Sequence, residues 1–260
     1  MAYTNSSLVS YTKLSPNHSG QRTHAIDRIT PHCVVGQCSV ETLGSIFLPT
    51  SRQASCNYGI GVDGRVGMYV EEKNRSWCSS SSANDQRAVT IECASDTAEP
   101  YAFKDVVYQK LITLCVDICK RNGKKKLLWL GDKDKTLAYT PASDEMIITV
   151  HRWFANKSCP GEWLYSRLGD LASKVTAALG GSTATTEPSA ATDNEKAIWD
   201  YLYGKIGNAY GVAGLMGNLY AESALRPNNL QNTYEKKLGL SDTQYTAKVD
   251  DDRILEMLMA

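Results

Sequence analysis

The chain has 260 residues, 42% of them hydrophobic, which is room for one large domain or for a medium domain and a smaller one. Its 28 basic and 28 acidic side chains cancel to a formal net charge of zero, so it carries no basic footprint for nucleic acid or for an anionic membrane surface. The opening MAYTNSSLVSYTKLSPNHSG lacks the basic flank and apolar run of a secretory signal, and no stretch reaches the length of a membrane span. Eight cysteines are too sparse for a disulfide scaffold and are read as reduced thiols of a cytoplasmic product.

Residues 1–20, rich in Ser, Asn and Thr, are expected to wrap the surface as an ordered arm. Arg28–Val35 reads as a buried strand in which Pro31 implies an edge or an irregular start. Residues 39–50 place Leu43, Ile46 and Phe47 at helical spacing ahead of Pro49. Cys56–Val62 and Arg65–Val70 flank Asp63-Gly64, a strong hairpin signal because both turn residues tolerate positive φ. Glycines at 59, 61 and 67 leave strand backbone bare for the approach of a ligand or of another element.

Residues 71–87 form a polar loop around Trp77, whose ring would serve as a substrate wall or as a core plug. In Ala88–Ala94, Val89, Ile91 and Cys93 alternate with Thr90 and Glu92, which sends Glu92 to the face opposite the apolar set. Phe103–Asn122 carries Val106, Val107, Leu111, Leu114, Cys115 and Ile118 at helical intervals, with Gly123 as its C-cap and Lys124–Lys126 as a solvated charge run at its negative end. A short strand follows at 127–130, then a loop over 131–146, a last strand at 147–150, and a closing helix from about Glu162 marked by Leu164, Leu168, Leu171, Val175 and Leu179. Strands interleaved with helices define an α/β class with a mixed central β-sheet flanked by helices.

The last strand delivers His151 into HRWFANKSCPG, where an imidazole and a thiol stand eight positions apart. Imidazole nitrogen and thiolate sulfur suit zinc, and a catalytic zinc takes three protein ligands and keeps its fourth position for water. A third ligand must therefore come from elsewhere in the chain. A surface histidine and an unrelated buried cysteine would show the same spacing.

This segment, with its Lys157-Ser158-Cys159-Pro160 ending, resembles the zinc site of the N-acetylmuramoyl-L-alanine amidases of phage lysins, the family that includes the peptidoglycan recognition domains. The resemblance covers roughly residues 20–180. It implies His32 as the early ligand, with His151 and Cys159 completing a set for Zn2+. It also implies Glu92 as the carboxylate that takes and returns the proton, and Lys157 as the cation beside the tetrahedral oxyanion. Some family members use a tyrosine on the strand that carries Cys56 here, and this sequence departs from them; Tyr58, read as sharing a sheet face with Cys56, is expected to line the substrate site together with Trp77. The implied activity is cleavage of the amide between N-acetylmuramic acid and L-alanine in bacterial peptidoglycan. A muropeptide-binding module without catalysis is the alternative, and the cysteine ligand favours the hydrolase. The implied setting is host lysis, with the product held in the host cytoplasm until a separate holin-type protein opens the way to the wall.

Gly180–Asp193 has the composition of a flexible linker, giving expected units of 1–180, a linker 181–194, and 195–260. Gly214–Ser223 resembles the start of the lysozyme-like domains of phage tail and lysin proteins, in which Glu222 would correspond to the acid that protonates the glycosidic oxygen. The resemblance stops near Asp250, and some 65 residues give little room for a cleft that would desolvate a carboxyl acid. Glu222 is therefore read as a family remnant, with a bifunctional lysin as the alternative.

Overall fold

The structure, a computed structural model, describes residues 3–180 and, further on, 193–208, 211–212, 214–217 and 219. The chain divides into two compact units, Met1–Thr183 and Ala184–Ala260.

The first unit is built on a seven-stranded sheet. In chain order its strands are β1 (Val9–Thr12), β3 (Arg28–Cys33), β4 (Tyr58–Ile60), β5 (Val66–Met68), β7 (Ala88–Cys93), β8 (Lys126–Leu128) and β9 (Glu145–Ile148). Two further strands, β2 (His18–Gln21) and β6 (Asn74–Ser76), pair antiparallel by themselves. The spatial order is β1-β5-β4-β7-β3-β9-β8, with only the β4–β5 hairpin antiparallel and every other pair parallel. The expected α/β class with a mixed central sheet is thus the architecture observed.

One face of the sheet carries the main core. Ile29, Tyr58, Ile60, Val89, Ile91 and Cys93 pack there against Val107, Leu111, Leu114 and Ile118 of helix α3 (Asp105–Arg121) and against Leu168, Leu171 and Val175 of α6 (Leu168–Ala178). The helical intervals read from the sequence are the buried stripe of α3 with one exception, Val106, which lies exposed. The α3 helix ends where Gly123 takes φ +68° and the Lys124 amide returns to the Cys119 carbonyl at 2.8 Å, a left-handed termination.

The opposite face is covered by α1 (Val40–Phe47) and the short α2 (Ser82–Asp85). Ser39 caps α1 by accepting from the Thr42 amide, and Leu43 and Phe47 pack with Cys56 and Tyr69. The glycine-lined part of β4 and β5 is filled by Leu43 of this helix and by the Tyr69 ring, which leaves no room there for a ligand. A Cβ on Gly59 would stand 2.7 Å from both Leu43 and the Tyr69 ring, and one on Gly67 2.3 Å from the Tyr69 hydroxyl oxygen.

Several local readings are corrected. The amino-terminal arm contributes two strands, one of which extends the sheet edge. Residues 71–87 and 131–146 are not plain loops: the first holds β6 and α2, the second α4 (Lys133–Ala138), capped by the Asp132 carboxylate accepting from the Lys135 amide at 2.8 Å. The strand before His151 sits two residues earlier than expected, so His151–Trp153 forms a 3-10 turn beyond it. The closing helix is broken into α5 (Glu162–Tyr165) and α6.

In the second unit, α7 (Asp193–Ile206) places the Trp199 and Tyr203 rings in a stacked pair 6.5 Å apart. The linker residues 181–192 and Glu222 lie outside the described residues.

Candidate metal centre

β3, β7 and β9 run parallel, so their carboxyl ends open at one edge of the sheet, the usual place for a site in such folds. His32 and Glu92 are register partners there, with Thr30 and Thr90 partnered one step below on the same face. Beneath the edge, the Thr30 and Thr149 hydroxyls share a hydrogen bond of 2.8 Å, and Asn84 of α2 ties to both at 3.0 Å. This buried polar layer locks the ends of β3 and β9 to each other.

His151 reaches the edge from the turn after β9. Its Nε2 is 2.9 Å from the Ser80 hydroxyl, which fixes the ring and leaves Nδ1 as the free nitrogen. The loop carrying Ser80 is itself pinned by the buried Asp85 carboxylate, which accepts from the Cys78 and Ser79 amides and from the Ser79 hydroxyl at 2.6 Å. Cys159 comes from the following loop. Its carbonyl accepts from the Arg152 amide at 3.1 Å, while the Arg152 guanidinium donates to the Ser158 carbonyl and to Glu162, both at 2.5 Å, and lies over the Tyr165 ring.

These three routes bring one nitrogen of His32, one of His151 and the sulfur of Cys159 within 4.8 Å of one another. His32 Nδ1 is 3.3 Å from Cys159 Sγ and 4.0 Å from Glu92 Oε1, and the two imidazole rings meet edge to face at 5.1 Å. A tetrahedral zinc would hold its nitrogen and sulfur donors roughly 3.5 Å apart, so this donor set fits that ion. Two buried polar atoms among these side chains, His32 Nε2 and Glu92 Oε2, have no hydrogen-bond partner.

The electrostatics suit a cation. Burial, with His151 close by, holds the His32 imidazole well below its ordinary pKa, and burial together with the Lys157 ammonium lowers that of His151. Both rings are therefore neutral, the form that binds metal. A hydrogen bond with Cys33, burial and the neighbouring Glu92 push the Cys159 thiol well above its usual range, a cost that a bound cation reverses. Burial raises Glu92 to about 7, opposed by Arg52 and by the hydrogen bond from Cys78.

Of the other expected site residues, Lys157 is exposed on the Cys159 loop, near enough to His151 to depress its pKa. Trp77 is half-buried, its indole N–H donating to Ser19 at 2.7 Å, so it is no core plug. Tyr58 does not line the cluster. Its register partner is Ile91, which puts it on the main-core face, fully buried, donating to Glu72 at 2.8 Å. The alternation from Cys56 fails because the Asn57 amide bonds to the Thr90 hydroxyl, outside the strand ladder, and β4 starts only at Tyr58. Residues that the sequence did not single out are Cys78, Ser80, Asp85 and Arg152. The signal available for Cys78 was a thiol beside a tryptophan in an otherwise polar stretch.

A mixed, largely parallel sheet that gathers two neutral imidazoles, a thiol and a half-buried carboxyl group at its carboxyl edge has the donor chemistry of a metal-assisted hydrolase. The chain belongs to the N-acetylmuramoyl-L-alanine amidase family, whose sequence model matches residues 13–162. Solved structures similar to this chain include a selenomethionine derivative of AmpD, at 17% identity and TM-score 0.45, covering 66% of this chain and 99% of that one. The Staphylococcus aureus hydrolase AmiA with its ligand is 11% identical at TM-score 0.46, covering 67% and 86%. The endolysin of the Thermus scotoductus bacteriophage Ph2119 is 16% identical at TM-score 0.40, covering 61% and 90%. No curated protein matches the sequence.

Proposed function

We propose that the first unit hydrolyses the amide joining N-acetylmuramic acid to L-alanine in bacterial peptidoglycan, with zinc held by His32, His151 and Cys159. The observation that carries this reading is the convergence of those three donors beside Glu92, from three segments far apart in sequence. Zinc bound there supplies Lewis acidity, lowering the pKa of a water and polarising the scissile carbonyl.

The protein groups do the rest. Glu92, whose burial raises its carboxyl to about 7 in the metal-free chain, accepts the proton of the attacking water and returns it to the leaving nitrogen. Lys157 places a cation beside the developing oxyanion. Ser80 and Arg152 hold the His151 ring and the Cys159 loop. Trp77, half-exposed and anchored through Ser19, offers a wall for the substrate. With the sequence resemblance to phage lysins, the reading extends to a lysis enzyme of a phage or prophage that meets the wall once a holin-type protein has opened the membrane. Among the described residues no helix is long and apolar enough to cross a membrane itself.

The test is mass spectrometry of digested peptidoglycan together with a zinc assay. The expected products are stem peptides with a free amino-terminal alanine and no new reducing ends; chelation stops their release and zinc restores it. Intact peptidoglycan that is merely bound would leave a recognition module, and new reducing ends that vanish on Glu222→Gln would add a glycosidase. Full cleavage by metal-stripped protein would end the zinc mechanism.

A further inference from the structure

The thiol of Cys78 takes no part in the chemistry above, yet it stands at the edge of the same cluster. Its Sγ donates to Glu92 Oε1 across 3.9 Å. The donor atoms of His32, Cys78 and Glu92 lie within 4.8 Å of one another, as do those of His32, His151 and Cys159. The Cys78 backbone is fixed by its amide bond to Asp85 at 3.0 Å, so the thiol is presented by a braced loop. Glu92 Oε2, buried and without a hydrogen-bond partner, belongs to this second triad. An imidazole, a thiol and a carboxyl group make a nitrogen, sulfur and oxygen donor set of the kind that takes a thiophilic divalent cation.

We propose that the centre has a second ion position, in which His32, Cys78 and Glu92 hold a thiophilic divalent cation in place of the His32–His151–Cys159 set. The two positions exclude each other because His32 belongs to both. Its Nδ1 faces Cys159 Sγ at 3.3 Å and Glu92 Oε1 at 4.0 Å, and a single lone pair serves one ion at a time. An ion in the second position binds Cys78 as thiolate, with the thiol proton released to solvent. It also occupies the Glu92 carboxylate that the proposed hydrolysis needs for proton transfer. That state is inactive, and its consequence for catalysis rests on the amidase reading.

Cadmium is the probe, added to the metal-free full chain and followed by binding stoichiometry and by the thiolate-to-cadmium absorption band in the ultraviolet. Wild type should take one equivalent. The double variant His151→Ala/Cys159→Ala should still take one equivalent, with a band from a single thiolate, and adding Cys78→Ala should remove both. If the double variant does not melt cooperatively, His151→Ala alone carries the comparison: its cadmium affinity should drop by at least about tenfold on adding Cys78→Ala. No uptake by a folded double variant, or uptake that ignores Cys78, overturns the second position while leaving the amidase centre standing. No uptake by wild type removes both.

Discussion

His32 and Glu92 sit directly opposite each other on β3 and β7, a six-residue parallel register that brings Nδ1 and Oε1 to 4.0 Å. Adjacent parallel strands turn register partners to the same face, so one pairing settles both positions. A slip of either strand by one residue would send its own member of the pair into the core and part it from the other. Strands buried on both sides hold such groups more rigidly than loops do, and two of the four central residues have that support.

Glu92→Gln keeps the shape of this pair and removes its proton chemistry. Release of amino-terminal alanine should fall by about 10²–10⁴-fold, the scale of a lost general base, while zinc content stays near one equivalent. Loss of the metal along with activity would instead make Glu92 a ligand.

The same carboxyl group makes the stability of the metal-free chain depend on pH. Burial raises Glu92 from 4.5 to about 7, so between those values the folded state binds a proton that the unfolded chain releases. Its contribution is therefore most favourable below about pH 4.5 and is lost as pH rises to about 7, by about 3 kcal/mol. Thermal melts of metal-free wild type and Glu92→Gln across this window should diverge in that direction, the variant being the more stable near pH 8. A constant difference between them would refute the buried titration.

Lys157→Met tests the oxyanion role. Removing a preorganised charge next to the reacting carbonyl should lower kcat by about 10²–10³-fold with little change in KM or in metal content. Because the Lys157 ammonium depresses His151, the His151 pKa of the metal-free variant, followed by nuclear magnetic resonance, should rise. An unchanged His151 pKa would mean that the lysine points away from the site.

Much of this centre was legible one strand at a time. Alternation in AVTIEC turned Glu92 away from Val89, Ile91 and Cys93, and the structure packs those three against the helices. The adjacency of β3 and β7 was not legible, because 54 residues intervene between Cys33 and Ala88 and no local pattern names a strand's neighbour. Tyr58 was misplaced because side-chain bonding by Asn57 and Thr90 replaces a ladder bond, which breaks the two-residue period. Cys78, Ser80 and Asp85 escaped notice since their loop is shaped by carboxylate-to-amide hydrogen bonds, which leave no hydrophobic periodicity behind. Arg152 carries no local signal in the sequence, because its role depends on a carbonyl six positions on.

Arg152 holds the Cys159 loop through a planar fork, to Ser158 and Glu162, while stacked on Tyr165. Arg152→Lys keeps the charge and loses the fork, so it should weaken zinc binding by about 10–100-fold, as the loss of an outer partner does. Competition with a chelator measures this, and an affinity equal to wild type would show that the loop holds Cys159 unaided.

Gly161 ends the same loop at φ +82° and ψ 158°, a region open in practice only to glycine. An added Cβ would stand 2.7 Å from the Pro100 carbonyl oxygen, which also accepts the Trp163 amide at 3.1 Å, and 3.0 Å from Tyr101. Neither the carbonyl nor the loop can yield without disturbing the start of α5. Gly161→Ala should therefore cost about 1–3 kcal/mol of stability from backbone strain alone, lowering Tm by several degrees at roughly 2–4 °C per kcal/mol. Since Cys159 lies two residues upstream, zinc affinity should fall in the same variant. A lowered Tm with unchanged affinity would separate the two effects and place the anchoring of Cys159 on the Arg152 side of the loop.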